Sequence, residues 1–126
     1  MYRVEVNHKS DYVFSVKSGE SEFIVDAKGK GLTPPDALLA ALASCAGVYV
    51  RKYAEGAKLR LDNFSIYASA ELSKEPPFCF RRIDVTVDLK GVDIDERRKK
   101  ALGEFLKNCP VHNTLKANPE VVMNIT

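Results

Sequence analysis

A chain of 126 residues fits a single domain, 1–126, and is long enough to bury a core without metal or disulfide staples. Hydrophobic residues at 45% and charged residues at 29% are ordinary for a soluble globular protein. A formal charge of +2 is too small to argue for nucleic acid, and the run Arg97-Arg98-Lys99-Lys100, set beside Asp93, Asp95 and Glu96, reads as a solvated helix face, with nucleic-acid binding a distant second.

Met1 to Lys17 alternates in polarity and has no apolar core region, unlike a signal peptide. Tyr2, Val4 and Val6, then Tyr12, Phe14 and Val16, alternate with polar neighbours, which is a strand pattern. A third run, Glu22 to Asp26, follows the turn residues Lys17-Ser18-Gly19-Glu20, and the three segments predict a small antiparallel meander. Lys28-Gly29-Lys30-Gly31 then marks a loop.

Thr33-Pro34-Pro35-Asp36 opens a helix: Thr33 caps free amides, Pro34 fits the first helical position, and Asp36 completes a variant capping box. The pattern predicts a helix to about Glu55, with Gly56 as its stop. Leu38, Leu42, Cys45, Tyr49 and Tyr53 recur at helical spacing and share one face. Ala37 to Val50 is uncharged over 14 residues, short of the ~20 that cross a bilayer, so it predicts a helix buried nearly all round rather than a membrane span. One thin domain encloses such a helix poorly, which points to cover from a second copy.

Phe64 to Leu72 alternates as one strand and Ile83 to Leu89 as the next, broken apart by Glu75-Pro76-Pro77. A second helix is expected from near Asp93, with Asp93 and Glu96 as cap and partner, an apolar face of Ile94, Ala101, Leu102 and Phe105, and Asn108 ending it in a left-handed conformation. Val121, Met123 and Ile125 suggest a short C-terminal strand. N-terminal antiparallel strands, a long central helix, two strands, a helix and a last strand make an α+β fold.

Three cysteines in a chain with no export signal form no disulfide framework, and the odd count leaves one unpaired within a monomer. Taken alone, Cys45 on the apolar stripe reads as a small core residue. Cys109-Pro110 is more informative. If 110–116 forms a short helix, Cys109 is its N-cap, where free amides and the positive helix end favour thiolate. Cys79, between Phe78 and Phe80, is assigned no role. Cys109-x-x-His112 has a tolerable metal spacing, but too few ligands accompany it, and no phosphate loop, GxSxG or HExxH sequence occurs.

Gly31 to Cys45, GLTPPDALLAALASC, and the motif Asn108-Cys109-Pro110-Val111 together resemble the two cysteine motifs of the OsmC/Ohr family, with the same element order between them. The resemblance implies an intertwined, cytoplasmic homodimer with active sites at the subunit interface, reducing hydroperoxides without cofactor or metal and serving in oxidative stress. It makes Cys45 the peroxidatic and Cys109 the resolving cysteine, with Asp36 and Tyr49 as candidate substrate-pocket residues and an external dithiol as reductant. Active members supply an arginine from the N-terminal strands, oriented by a glutamate in the long helix's first turn. Here the glutamate slot aligns with Pro35, Asp36 stands one position along, and the only arginine before Arg51 is Arg3. The alternative is a non-catalytic relative binding a small apolar molecule at the dimer interface. A scaffold using the basic helix face is a third reading.

Overall fold

A computed structural model describes residues 1–126. Its elements are β1 (Glu5–Ser10), β2 (Val13–Ser18), β3 (Ser21–Asp26), α1 (Pro34–Ala57), β4 (Ser65–Leu72), β5 (Phe80–Asp88), α2 (Glu96–Leu106) and α3 (Pro110–Ala117). The class is α+β, as the pattern predicts. Two compact units divide the chain, Met1–Ala40 and Ala41–Thr126.

In the first unit β1, β2 and β3 form the expected antiparallel meander. Its turns use left-handed residues, Asp11 at φ 48° and Gly19 at φ 59°. Lys17 lies opposite both Glu5 and Glu22, a favourable cross-strand charge arrangement. The fully buried Ser15 hydroxyl donates to the Glu22 carboxylate. The first strand begins later than the alternation suggests, leaving Tyr2 and Val4 exposed ahead of it.

Helix α1 starts as the sequence requires. The Asp36 amide donates to Thr33 Oγ1 (3.2 Å), and the Asp36 carboxylate accepts from the Thr33 amide (3.1 Å) and hydroxyl (2.7 Å). It runs through Gly56, because Lys58 takes the left-handed position instead, at φ 57°. The Lys58 amide donates to the Glu55 carbonyl (3.3 Å) and that of Leu59 to Ala54 (2.8 Å), which closes the end as a Schellman motif.

The second unit is built on Val50, Ala54, Leu61, Ile94 and Leu102, with Tyr53, Phe64, Ile66, Val87 and Leu106 packed around them. Val50 and Ala54 are small, so α1 lies close to the β4–β5 hairpin. A Cβ on Gly47 would stand 3.4 Å from Ile66 Cδ1. The expectation of a helix buried all round fails on its other side, where Val48 is 52% exposed. Hydropathy marks that face as apolar, but a single chain has no layer to put there.

Three further expectations need correction. The cap of α2 is Asp95, not Asp93, and its carboxylate accepts from the Arg98 amide at 2.8 Å. Ile94 is buried in the core, which makes the next residue the first free to cap. Asn108 is not left-handed; its side-chain amide donates to the Phe105 carbonyl (3.1 Å), because the chain must extend at Cys109 to enter Pro110. Finally, 118–126 holds no strand, and Val121, Met123 and Ile125 are exposed, so alternation alone does not make a strand there.

Candidate functional site: a cysteine pair at a helix start

Cys109 is the N-cap of α3, at φ −59° and ψ 122°, the extended geometry a residue before proline adopts. Its amide donates to the Leu106 carbonyl (3.2 Å) and its carbonyl accepts from the Asn113 amide (3.0 Å), so its backbone is pinned to both flanking helices. The side chain is 1% exposed. From α1, the half-buried Cys45 reaches the same point, close enough for the Cys109 side chain to act on it. No disulfide joins Cys45, Cys79 or Cys109. Residues far apart in the chain thus bring two thiols together.

The electrostatics differ from the sequence expectation. Helix α3 does begin at Pro110, but the Cys109 side chain makes no capping hydrogen bond. Proline at the first position has no N–H, so the first amide α3 offers is that of Val111, and it acts on Cys45 in favour of the thiolate. The helix start therefore supports charge on Cys45, the sulfur that the resemblance makes the attacking one. The Cys45 thiol is nevertheless pushed above its ordinary value of 9.0, first by burial and then by its hydrogen bond with Cys109. The Val111 amide opposes this, the Coulombic effect of Cys109 adds to it, and Lys52 opposes it more weakly.

Tyr49 lies one turn beyond Cys45 on α1, half-buried, with its ring 5.8 Å from that of Phe105. Tyr53 meets the same Phe105 at 5.9 Å, and its hydroxyl donates to the Arg98 carbonyl (3.4 Å). The three rings fasten α1 to α2 just ahead of the Cys109 corner. The Lys52 ammonium sits 4.7 Å from the centre of the Tyr49 ring. Asp36 is part of the first unit, its carboxylate engaged by Thr33 in the cap and held below the usual range by those bonds. Cys79 stands at the β4–β5 connection, its amide donating to Ser73 Oγ (3.1 Å).

Two open grooves lie elsewhere in the second unit, one past Leu72, Arg81 and Arg82, the other past Val87, Leu102 and Leu106. Neither is lined by Cys45 or Cys109, so chemistry rather than concavity marks the site. Sequence reasoning missed the Val111 amide and Lys52. The first was signalled by Pro110, which defers the helix's first donor; the second by its place two turns beyond Cys45.

Residues 27–124 match the family model described as OsmC-like protein. The chain belongs to the OsmC-like family. Among solved structures, an OsmC-like protein from Mycoplasma pneumoniae is 24% identical with a TM-score of 0.80, over 92% of this chain and 87% of that one. A Psychrobacter arcticus protein described as a putative osmotic stress induced and detoxification response protein is 20% identical with a TM-score of 0.81, over 90% and 88%. An organic hydroperoxide resistance protein from Legionella pneumophila is 17% identical with a TM-score of 0.64, over 94% and 92%. At these identities the likeness is one of OsmC-like fold. No curated protein matches the sequence.

Proposed function

We propose that this OsmC-like chain is a cysteine-based hydroperoxide reductase, with Cys45 as the peroxidatic and Cys109 as the resolving residue. One observation carries the reading: the two thiols meet closely enough to act on each other, with a helix-start amide favouring charge on Cys45. The Cys45 thiolate attacks one peroxide oxygen, the O–O bond breaks, and the alkoxide leaves and takes a proton to become the alcohol. Cys45 is left as a sulfenic acid. The Cys109 sulfur then attacks Cys45, forming the disulfide and releasing water with the Cys109 proton. An external dithiol exchanges with that disulfide, is itself oxidised, and restores both thiols. No cofactor or metal enters this cycle.

In this reading Tyr49, one turn from Cys45 and packed against Phe105, belongs to the substrate pocket, and organic hydroperoxides suit such aromatic surroundings. Exposed Leu38 and Val48 on α1, with exposed apolar residues at both chain ends, support a homodimer in which a second copy covers them. The working place is a reducing cytoplasm, where dithiol donors are available. No helix is long and apolar enough to cross a membrane. The test is turnover of cumene hydroperoxide with dithiothreitol or a thioredoxin-type donor. Cys45→Ser is expected to abolish it, and Cys109→Ser to stop it after one equivalent. Turnover that survives Cys45→Ser would remove the proposal.

A second reading has its own support. Burial pushes the Cys45 thiol up, and Asp36 is engaged in the helix cap rather than free for a substrate. In that reading the chain binds a small apolar molecule at the dimer interface. A ligand retained in native mass spectrometry by Cys45→Ser, with no peroxide turnover by wild type, would favour it.

A further inference from the structure

We propose that Lys52, drawn across the ring of Tyr49, is a positioning cation that favours the Cys45 thiolate. The inference rests on Cys45 being the attacking sulfur. Cys45, Tyr49 and Lys52 stand at positions i, i+4 and i+7 of α1, which places them along one face of the helix. Side chains of an α-helix lean toward its N-terminus and cover the turn before their own. From Lys52 that lean runs over Tyr49 toward Cys45. The axial separation of the two backbones is roughly 10 Å, and the lysine's four-carbon stem closes much of it.

The ring is what turns this tendency into a position. Tyr49 is itself held by Phe105 from α2, at 5.8 Å between ring centres. The ammonium rests 4.7 Å from the Tyr49 ring centre, within the range where the ring face attracts a cation. An exposed lysine free to roam would be a weak electrostatic partner; one resting on a fixed ring is biased to a single side. The groups that act on Cys45 are few. Lys52 comes from its own helix, and Cys109 and the Val111 amide come from the α2–α3 corner. Of these Lys52 alone brings a full positive charge, and its effect opposes that of burial.

The test needs no peroxide. Reduced full-length protein is treated with iodoacetamide across a pH series, and alkylation of Cys45 is followed by peptide mass spectrometry, which separates it from Cys79 and Cys109. Lys52→Gln, which keeps an unbranched polar side chain and removes the charge, is expected to slow Cys45 alkylation at neutral pH by about threefold and move its profile to higher pH. Lys52→Arg is expected to restore the wild-type profile, and 0.5 M salt to narrow the Lys52→Gln difference, because Lys52 is exposed. Superimposable Lys52→Gln and wild-type profiles would overturn the inference, as would Lys52→Arg behaving like Lys52→Gln. Peroxide turnover without a Lys52 effect leaves the reductase and removes this inference. A Lys52 effect without turnover does the reverse.

Discussion

Replacing Cys109 with alanine is expected to make Cys45 react faster in its first encounter with peroxide, although the catalytic cycle is then broken. In the structure Cys109 acts on Cys45 twice, through side-chain hydrogen bonding and through Coulombic repulsion, and both favour the Cys45 thiol over its thiolate. Taking the hydrogen bond alone at about 1 kcal/mol, its removal raises the thiolate population roughly fivefold at neutral pH. A less basic thiolate is also a weaker nucleophile, which returns a factor of about two. The net expectation is a two- to threefold faster single-turnover loss of cumene hydroperoxide at pH 7.5. Stopped-flow measurement with enzyme in excess reads this directly, and mass spectrometry identifies Cys45 as the oxidised residue. Cys109→Ser keeps a hydrogen-bonding group and is expected to fall between wild type and alanine. A first turnover slowed by Cys109→Ala would refute the reasoning, because it would mean that Cys109 assists ionisation of Cys45 rather than hindering it.

Other consequences reach the rest of the molecule. Because the Cys45 thiol lies above its ordinary value of 9.0, its alkylation rate in wild type is expected to keep climbing beyond pH 9, the thiolate appearing as the proton leaves; a plateau below pH 8 would contradict this. Gly47 has no left-handed φ, and a Cβ there would meet Ile66 at ordinary contact distance, so Gly47→Ala should gain up to about 1 kcal/mol from helix propensity, seen as a higher Tm. Leu61→Ala empties a site that is 1% exposed within the second unit's core, and urea unfolding should record a loss of about 3 kcal/mol. Thr33→Ala removes the N-cap hydroxyl of α1 and should cost about 1 kcal/mol in the same assay.

Much of this architecture is legible in the residues themselves. The meander, the Thr33–Asp36 cap, the hairpin of β4 and β5 and the short helix after Cys109 each follow from periodicity or from the geometry of proline and its neighbour. The misses have physical causes. Asp93 and Asp95 are equally good caps by type, and only the burial of Ile94 between them selects the second. Alternation at Val121, Met123 and Ile125 suits a strand, but alternation reports a preference for a half-buried surface and cannot supply the edge to pair with. The same holds for the far side of α1, where hydropathy is right about the residues and silent about what covers them. At the site, both cysteines stand out in the sequence, whereas the effect of the Val111 amide depends on how α3 meets α1, and the seat of Lys52 on Tyr49 on how Phe105 of α2 holds that ring.

The most direct measurement is to add one equivalent of cumene hydroperoxide to the reduced protein and map its thiols by peptide mass spectrometry without reductant. A single intrachain bond joining the Cys45 and Cys109 peptides, with Cys79 still free, is the predicted product. Three intact thiols, a bond through Cys79, or Cys45 driven to sulfinic acid while Cys109 stays reduced would contradict it.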